Sequence, residues 1–211
     1  MAGRTMRNPM KQAVRRLRYG QPVIVVSGLP RSGTSMLMKM LHAGGIAIHT
    51  DHERRADEDN PEGYFEFERV KELANATDKS WVRQARGKAL KVISHLLKEL
   101  PDDNFYLIIL ARRDLQEVVA SQNIMLTRRG QPNPVADAEA EALYRKHLIH
   151  VTMHTNERPN MELLTVHYRE LLTEPRRSAE QISRFIGARL DLQAMATVVD
   201  PRLYRNRAAS I

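Results

Sequence analysis

Apolar residues in this chain fall into two patterns. Pro22–Ser27 and Tyr106–Ala111 are short unbroken runs rich in Val, Ile and Leu, as expected of strands buried on both faces in a parallel sheet. Ala89–Ile93 and Leu163–Val166 are weaker runs of the same kind, and Ile46–His49 is a second short apolar stretch after the first helix. Elsewhere the spacing is helical. Thr34–Leu41 places Met36, Leu37, Met40 and Leu41 on one side and closes at Gly44 and Gly45, a helix with its stop signal. Asp114 predicts a cap for a helix to about Thr127, with Glu117 completing a capping-box pattern. Ala136–Thr155, Ser178–Phe185 before Gly187, and Glu66–Asn75 also read as helices. Asp51–Gly63 is charged and contains Asn60-Pro61, so it reads as a long loop. Strands alternating with helices predict an α/β fold of three layers, α/β/α, around a mostly parallel central sheet.

Composition narrows this further. The 211 residues, 42% apolar and 27% charged, have the profile of one folded domain and exclude disorder as the main state. The longest apolar run meets Arg112, Arg113 and Asp114 at once, far short of the roughly 18 residues that cross a bilayer. With no cysteine there is no disulfide framework, thiol nucleophile or thiolate metal site, and cytoplasm is the expected compartment. The net charge of +8 is uneven: Arg4, Arg7, Lys11, Arg15, Arg16 and Arg18 supply +6, leaving +2 for the rest. That reads as a basic N-terminal arm or short helix, residues 1–19, on a nearly neutral single domain, residues 20–211. It does not read as a nucleic-acid binder.

The chemistry concentrates between the first strand and first helix. Gly28-Leu29-Pro30-Arg31-Ser32-Gly33-Thr34-Ser35 is a glycine-punctuated turn that aims backbone N–H groups at an anion over a helix N-terminus. Its spacing is that of the nucleotide P-loop G-x-x-x-x-G-K-[ST], with Thr34 in the lysine position. The strand that would end in a magnesium-holding carboxylate ends instead in Ala111-Arg112-Arg113, so both anchors of ordinary triphosphate hydrolysis are missing. Arg31 puts a permanent positive charge in the loop.

These residues resemble the sulfotransferases that use 3′-phosphoadenosine 5′-phosphosulfate (PAPS), whose 5′-phosphosulfate loop reads Pro-[Lys/Arg]-Ser-Gly-Thr-[Thr/Ser]. Pro30, Arg31, Ser32, Gly33, Thr34 and Ser35 match it throughout. The arginine version is similar to tyrosylprotein sulfotransferases and bacterial relatives. Arg113 and Ser121, eight residues apart, match the family's pair for the donor's 3′-phosphate, and two helical turns return Ser121 to the face where the helix begins. Val166-His167-Tyr168-Arg169-Glu170-Leu171-Leu172, then Pro175 and Phe185-Ile186-Gly187, resemble a third family segment. The likeness makes Tyr168 a donor contact, although a core tyrosine fits equally well, and Arg169 stands where the family has Glu. The resemblance implies a P-loop-type fold, PAPS as donor, 3′-phosphoadenosine 5′-phosphate (PAP) as product, and no metal.

The general base has several candidates. Glu53 with Arg55 fits the tyrosylprotein pattern if one residue is inserted; without it His52 takes the position. Glu66 lies in a segment similar to bacterial sulfotransferases near the acceptor, or serves as an acid at a helix start. His95 follows Lys91 on strand-like residues, similar to the Lys-Thr-His of aryl sulfotransferases but two residues longer. Among Arg202, Arg205 and Arg207, Arg205 is the candidate for a C-terminal 3′-phosphate clamp, with a solvated tail the alternative. His147, His150 and His154 share a helix face, but without cysteine or an acidic partner no metal site is expected.

The resulting expectation is sulfuryl transfer to an unknown hydroxyl or amine, with Arg113→Ala weakening donor binding more than folding. A homodimer stays open. The alternatives are a small-molecule kinase using Asp51, which requires Mg-ATP, and a non-catalytic module that binds anions through the arginine-rich ends.

Overall fold

A computed structural model describes residues 9–51, 65–131 and 135–200. The chain runs α1 (Pro9–Tyr19), β1 (Val23–Gly28), α2 (Thr34–Ala43), β2 (Ala89–Ile93), β3 (Tyr106–Arg112), α3 (Leu115–Arg128), α4 (Asp137–Glu157), β4 (Met161–His167), α5 (Tyr168–Thr173), α6 (Pro175–Ile186) and α7 (Leu192–Thr197). The strands form one sheet in the order β2-β1-β3-β4, and every pairing is parallel. β1 is buried along its whole length, which accounts for its lack of polar alternation.

Alternate residues of the strands feed two cores. Ile24, Val26, Ala89, Ile109 and Ala111 pack under Met36, Leu37, Met40 and Leu41 of α2, with Ile182 of α6 and Met195 of α7. Val23, Val25, Leu90, Val92, Ile108 and Leu110 face Trp81, Val82, Leu97 and Val151 of α4. The layers are therefore α/β/α, as the alternating pattern predicts.

Two local expectations need correction. Glu66–Asn75 is not an α-helix; only Glu68–Glu72 coils, as a 3-10 helix, and Val70 is its sole buried residue. One apolar contact per turn is too little burial to hold α-helical turns against solvent. The apolar stretch Ile46–His49 meets the sheet edge through a single bridge, Ile48 to Ala89. Ser94 and His95 do not continue β2 but open a 3-10 helix, Ser94–Glu99.

The topology creates the crevice. β1 and β3 are neighbours, yet the chain leaves β1 toward β2 and leaves β3 toward β4. Connections diverging from adjacent parallel strands open a cleft outside their carboxyl ends. Gly28 and Ala111 are register partners at that edge, so the loop after β1 and the start of α3 face each other across it. Among the described residues, no helix is long and apolar enough to cross a membrane.

Candidate active site

The loop after β1 is shaped by close approaches that only glycine permits. Gly33 caps α2 at φ 101°, and a Cβ there would collide with the ring of Tyr168. A Cβ on Gly28 would run into the Ser32 hydroxyl and lie 3.0 Å from the Ala111 carbonyl. Arg31 is left-handed at φ 70°, a conformation that costs a non-glycine residue about 1–2 kcal/mol. Ser32 turns inward: it is 1% exposed, its hydroxyl donates to the Leu29 carbonyl at 2.7 Å and its N–H to the same atom at 3.2 Å. Ser32 therefore holds the turn, and the loop runs straight into the N-terminus of α2, the end of a helix that favours an anion.

Across the cleft, α3 begins where sequence places it. The Asp114 carboxylate accepts from the N–H groups of Gln116 and Glu117 at 2.9 and 3.2 Å. The Glu117 carboxylate meets Arg113 instead of serving mainly as the second half of a capping box: Arg113 Nε donates to it at 2.8 Å, with the two side chains 8% and 5% exposed. Arg113 also donates through Nη1 to the Arg31 carbonyl at 3.2 Å, and its guanidinium lies 4.7 Å from the centre of the Tyr168 ring. Arg31 crosses the cleft the other way, its Nε donating to Ser121 Oγ at 3.0 Å. Two guanidiniums, a buried hydroxyl and a tyrosine, from three stretches of chain, thus meet at one loop.

Tyr168 is the first residue of α5, directly after β4, and is 5% exposed. Burial pushes its hydroxyl above the ordinary tyrosine pKa, with Arg113 pulling the other way, so it stays a proton-bearing donor at neutral pH. It is both a packed tyrosine and a wall of the loop. Arg169 and Glu170, the pair that departs from the expected order, are both exposed.

On the β2 side the structure brings in a cation absent from the expected set. Lys91 Nζ lies 3.2 Å from Ser35 Oγ and 3.3 Å from Glu66 Oε1, with the Lys91 and Glu66 side chains 13% and 22% exposed. A lysine in the middle of a buried parallel strand was the available signal; spacing to His95 drew attention away from it. Glu66 is held by its neighbours: Phe65 has φ 51°, Thr50 Oγ1 donates to the Glu66 carbonyl at 2.6 Å, and the Asp51 carboxylate accepts the Glu68 N–H at 2.5 Å. Asp51 thereby ties the chain on either side of residues 52–64, a different task from holding magnesium.

His95 is exposed, and the sequence neighbour that meets α4 is Ser94, whose hydroxyl lies 2.8 Å from His147 Nε2. Burial, then His95 and His150, hold His147 below the usual histidine pKa. Among the described residues no group of three or more His, Asp and Glu side chains is gathered as a metal site would be. Glu53, His52, Arg55, Arg202, Arg205 and Arg207 lie outside the described residues.

Residues 21–206 match the sulfotransferase domain family over most of the chain. The chain belongs to the sulfotransferase domain family. That family consists of PAPS-dependent transferases, and the kinase and non-catalytic readings give way to it. The fold is similar to the sulfotransferase domain from the Synechococcus PCC 7002 olefin synthase, at 22% identity over 90% of this chain and 89% of that one, TM-score 0.52. It is also similar to sulfotransferase STF1 from Mycobacterium tuberculosis, at 17% identity over 90% and 76%, TM-score 0.56. A third likeness is mouse sulfotransferase SULT7A1, crystallised with PAP, at 18% identity over 86% and 63%, TM-score 0.50. No curated protein sequence matches this sulfotransferase.

Chemically, the glycine-shaped loop at a helix N-terminus could hold one anionic group, and the cations Arg31 and Arg113, which share contacts with Ser121 and the loop, could hold a second.

Proposed function

We propose that this sulfotransferase moves the sulfuryl group of PAPS to a hydroxyl or amine by in-line attack, without a metal ion. The observation that supports the reading is the convergence of Arg31, Arg113, Ser121 and Tyr168 on the loop between β1 and α2. When bound, PAPS supplies the activated sulfuryl group, and the chain supplies position and charge.

On this reading the α2 N-terminus, with Pro30, Gly33, Thr34 and Ser35, holds the 5′-phosphosulfate, and Ser32 keeps the loop in shape. Arg113 and Ser121 hold the 3′-phosphate, with Arg31 reaching across to neutralise charge on the donor and Tyr168 supporting both. Lys91 adds a cation beside Ser35 where negative charge grows on the leaving phosphate. Arg205 keeps the clamp role that the resemblance implies, and residues 20–211 act as one domain with 1–19 appended.

The base must face the loop. Glu66 is the described candidate that does so, through Lys91. On this reading the acceptor's proton passes to the Glu66 carboxylate, which Lys91 holds beside Ser35. Glu53 is the second candidate, from the segment that starts and ends beside this pair, and His95 the third.

Calorimetric titration with PAP in the presence of a chelator is the test, set against ATP with Mg²⁺. Tight PAP binding unchanged by the chelator is expected; preference for Mg-ATP overturns the reading. Glu66→Gln should then lower kcat by about 10²-fold or more with PAP affinity kept, whereas unchanged turnover passes the base role to Glu53 or His95.

A further inference from the structure

An amphipathic helix ordinarily buries its apolar side. α1 does the reverse. Its docked side carries Arg15 and Tyr19: Arg15 pairs with Glu162 at the start of β4 and lies 4.5 Å from the centre of the Phe105 ring. Tyr19, 8% exposed, stacks on that same ring at 6.4 Å between centroids. Turned away from the domain are Val14, 65% exposed, and Leu17, 91% exposed, with Met10, 78% exposed, one turn earlier.

At roughly 100° per residue, positions 10, 14 and 17 form one stripe opposite Tyr19. Arg18 follows the stripe on one side, its guanidinium 5.1 Å from the centre of the Tyr19 ring, and Arg16 lies nearer Tyr19 than the stripe; both are exposed. Residues 1–19 contain six basic and no acidic side chains. An outward stripe of Met, Val and Leu on a basic, acid-free leader has two requirements: apolar matter against the stripe and negative charge around it. A nucleic acid meets the second but not the first, since its outer surface is phosphate. A bilayer surface bearing anionic headgroups meets both.

We propose that α1 lays its Met10–Val14–Leu17 stripe into an anionic lipid surface, with the exposed Arg16 and Arg18 drawn to the headgroups. The helix lies in the interface and does not cross it, since its 11 residues are about half of what a span needs. The body is coupled to that surface through the Arg15–Glu162 pair and the Tyr19–Phe105 stack. The catalytic edge lies at the opposite ends of the strands, because α1 leads into the amino end of β1 while the loop leaves its carboxyl end. The cleft therefore stays open when α1 is seated.

The test is co-sedimentation of the full chain with vesicles of phosphatidylcholine alone or with about 30% phosphatidylglycerol. Wild type should pellet with the anionic vesicles at least tenfold more strongly than with neutral ones, and less as salt rises. The Val14→Asp/Leu17→Asp double variant should lose at least tenfold of that binding while keeping its circular dichroism and PAP titration, since both side chains already face solvent. Arg16→Gln/Arg18→Gln should weaken binding to the anionic vesicles alone. Absence of vesicle binding, or binding indifferent to the aspartates, overturns the proposal. So does a concentration-dependent dimer that the aspartates abolish without any vesicle binding, which assigns the stripe to a second copy.

Discussion

Replacing Arg113 with methionine separates what this side chain does for folding from what it does for the donor. Arg113 and Glu117 are both more than nine-tenths buried and joined at 2.8 Å. Removing the guanidinium leaves a carboxylate in a site built for an ion pair, a change that costs about 3–5 kcal/mol. The stack over Tyr168 and the bond to the Arg31 carbonyl are lost with it. They add about 2 and 1 kcal/mol taken singly, but the three losses share one group and do not sum. About 4 kcal/mol is a large part of a domain's 5–15 kcal/mol, so Arg113→Met should shift the urea midpoint far down. Arg113→Met with Glu117→Leu replaces the pair by apolar volume and should recover stability to within about 1 kcal/mol of wild type. It should not recover donor binding: a lost charge-assisted contact to phosphate weakens PAP by about 30- to 100-fold. The two readouts are urea unfolding and calorimetric titration. Wild-type stability in the single variant refutes the buried pair, and wild-type PAP affinity in the double variant refutes the 3′-phosphate role. The sequence-based expectation that Arg113→Ala weakens binding more than folding is revised by this geometry, which ties the two together.

Gly33→Ala should destabilise by about 2–4 kcal/mol, from the positive φ and the collision with Tyr168. Adding Tyr168→Ala should relieve only the collision, so a double-mutant cycle read by urea unfolding gives a coupling of 1 kcal/mol or more; a loss under about 0.5 kcal/mol in Gly33→Ala counts against the close approach. Burial holds His49, His147 and His154 below the ordinary histidine pKa of 6.5. Their neutral forms belong to the folded state, so this stabilisation is full above pH 6.5 and is lost as pH falls below it. Urea unfolding at pH 7.5, 6.5 and 5.5 should show stability dropping, and dropping less in His147→Gln; a flat profile would exclude the mechanism.

Much of this protein is legible in one dimension because its signals are local. Unalternating runs such as Val23–Val26 announce buried parallel strands, Asp114 announces a cap, Gly44 and Gly187 announce helix ends, and Pro30–Ser35 announces a glycine turn into a helix. Each depends on backbone geometry within a few residues. The resemblance singled out Arg113 and Ser121, but it could not show that Arg113 pairs with Glu117 and that Ser121 takes a hydrogen bond from Arg31. What the chain could not disclose is which groups meet from distant stretches. Lys91 reaches Ser35 and Glu66, Arg31 reaches Ser121, and Tyr168 fills the space above Gly33, because β1 lies between β2 and β3 and the strand order brings their carboxyl ends together. The short helix at Glu68–Glu72, the turn after Ile93 and the outward face of α1 were decided the same way. Propensity describes a segment alone, while burial against the rest of the fold decides how it ends and which side it shows to water.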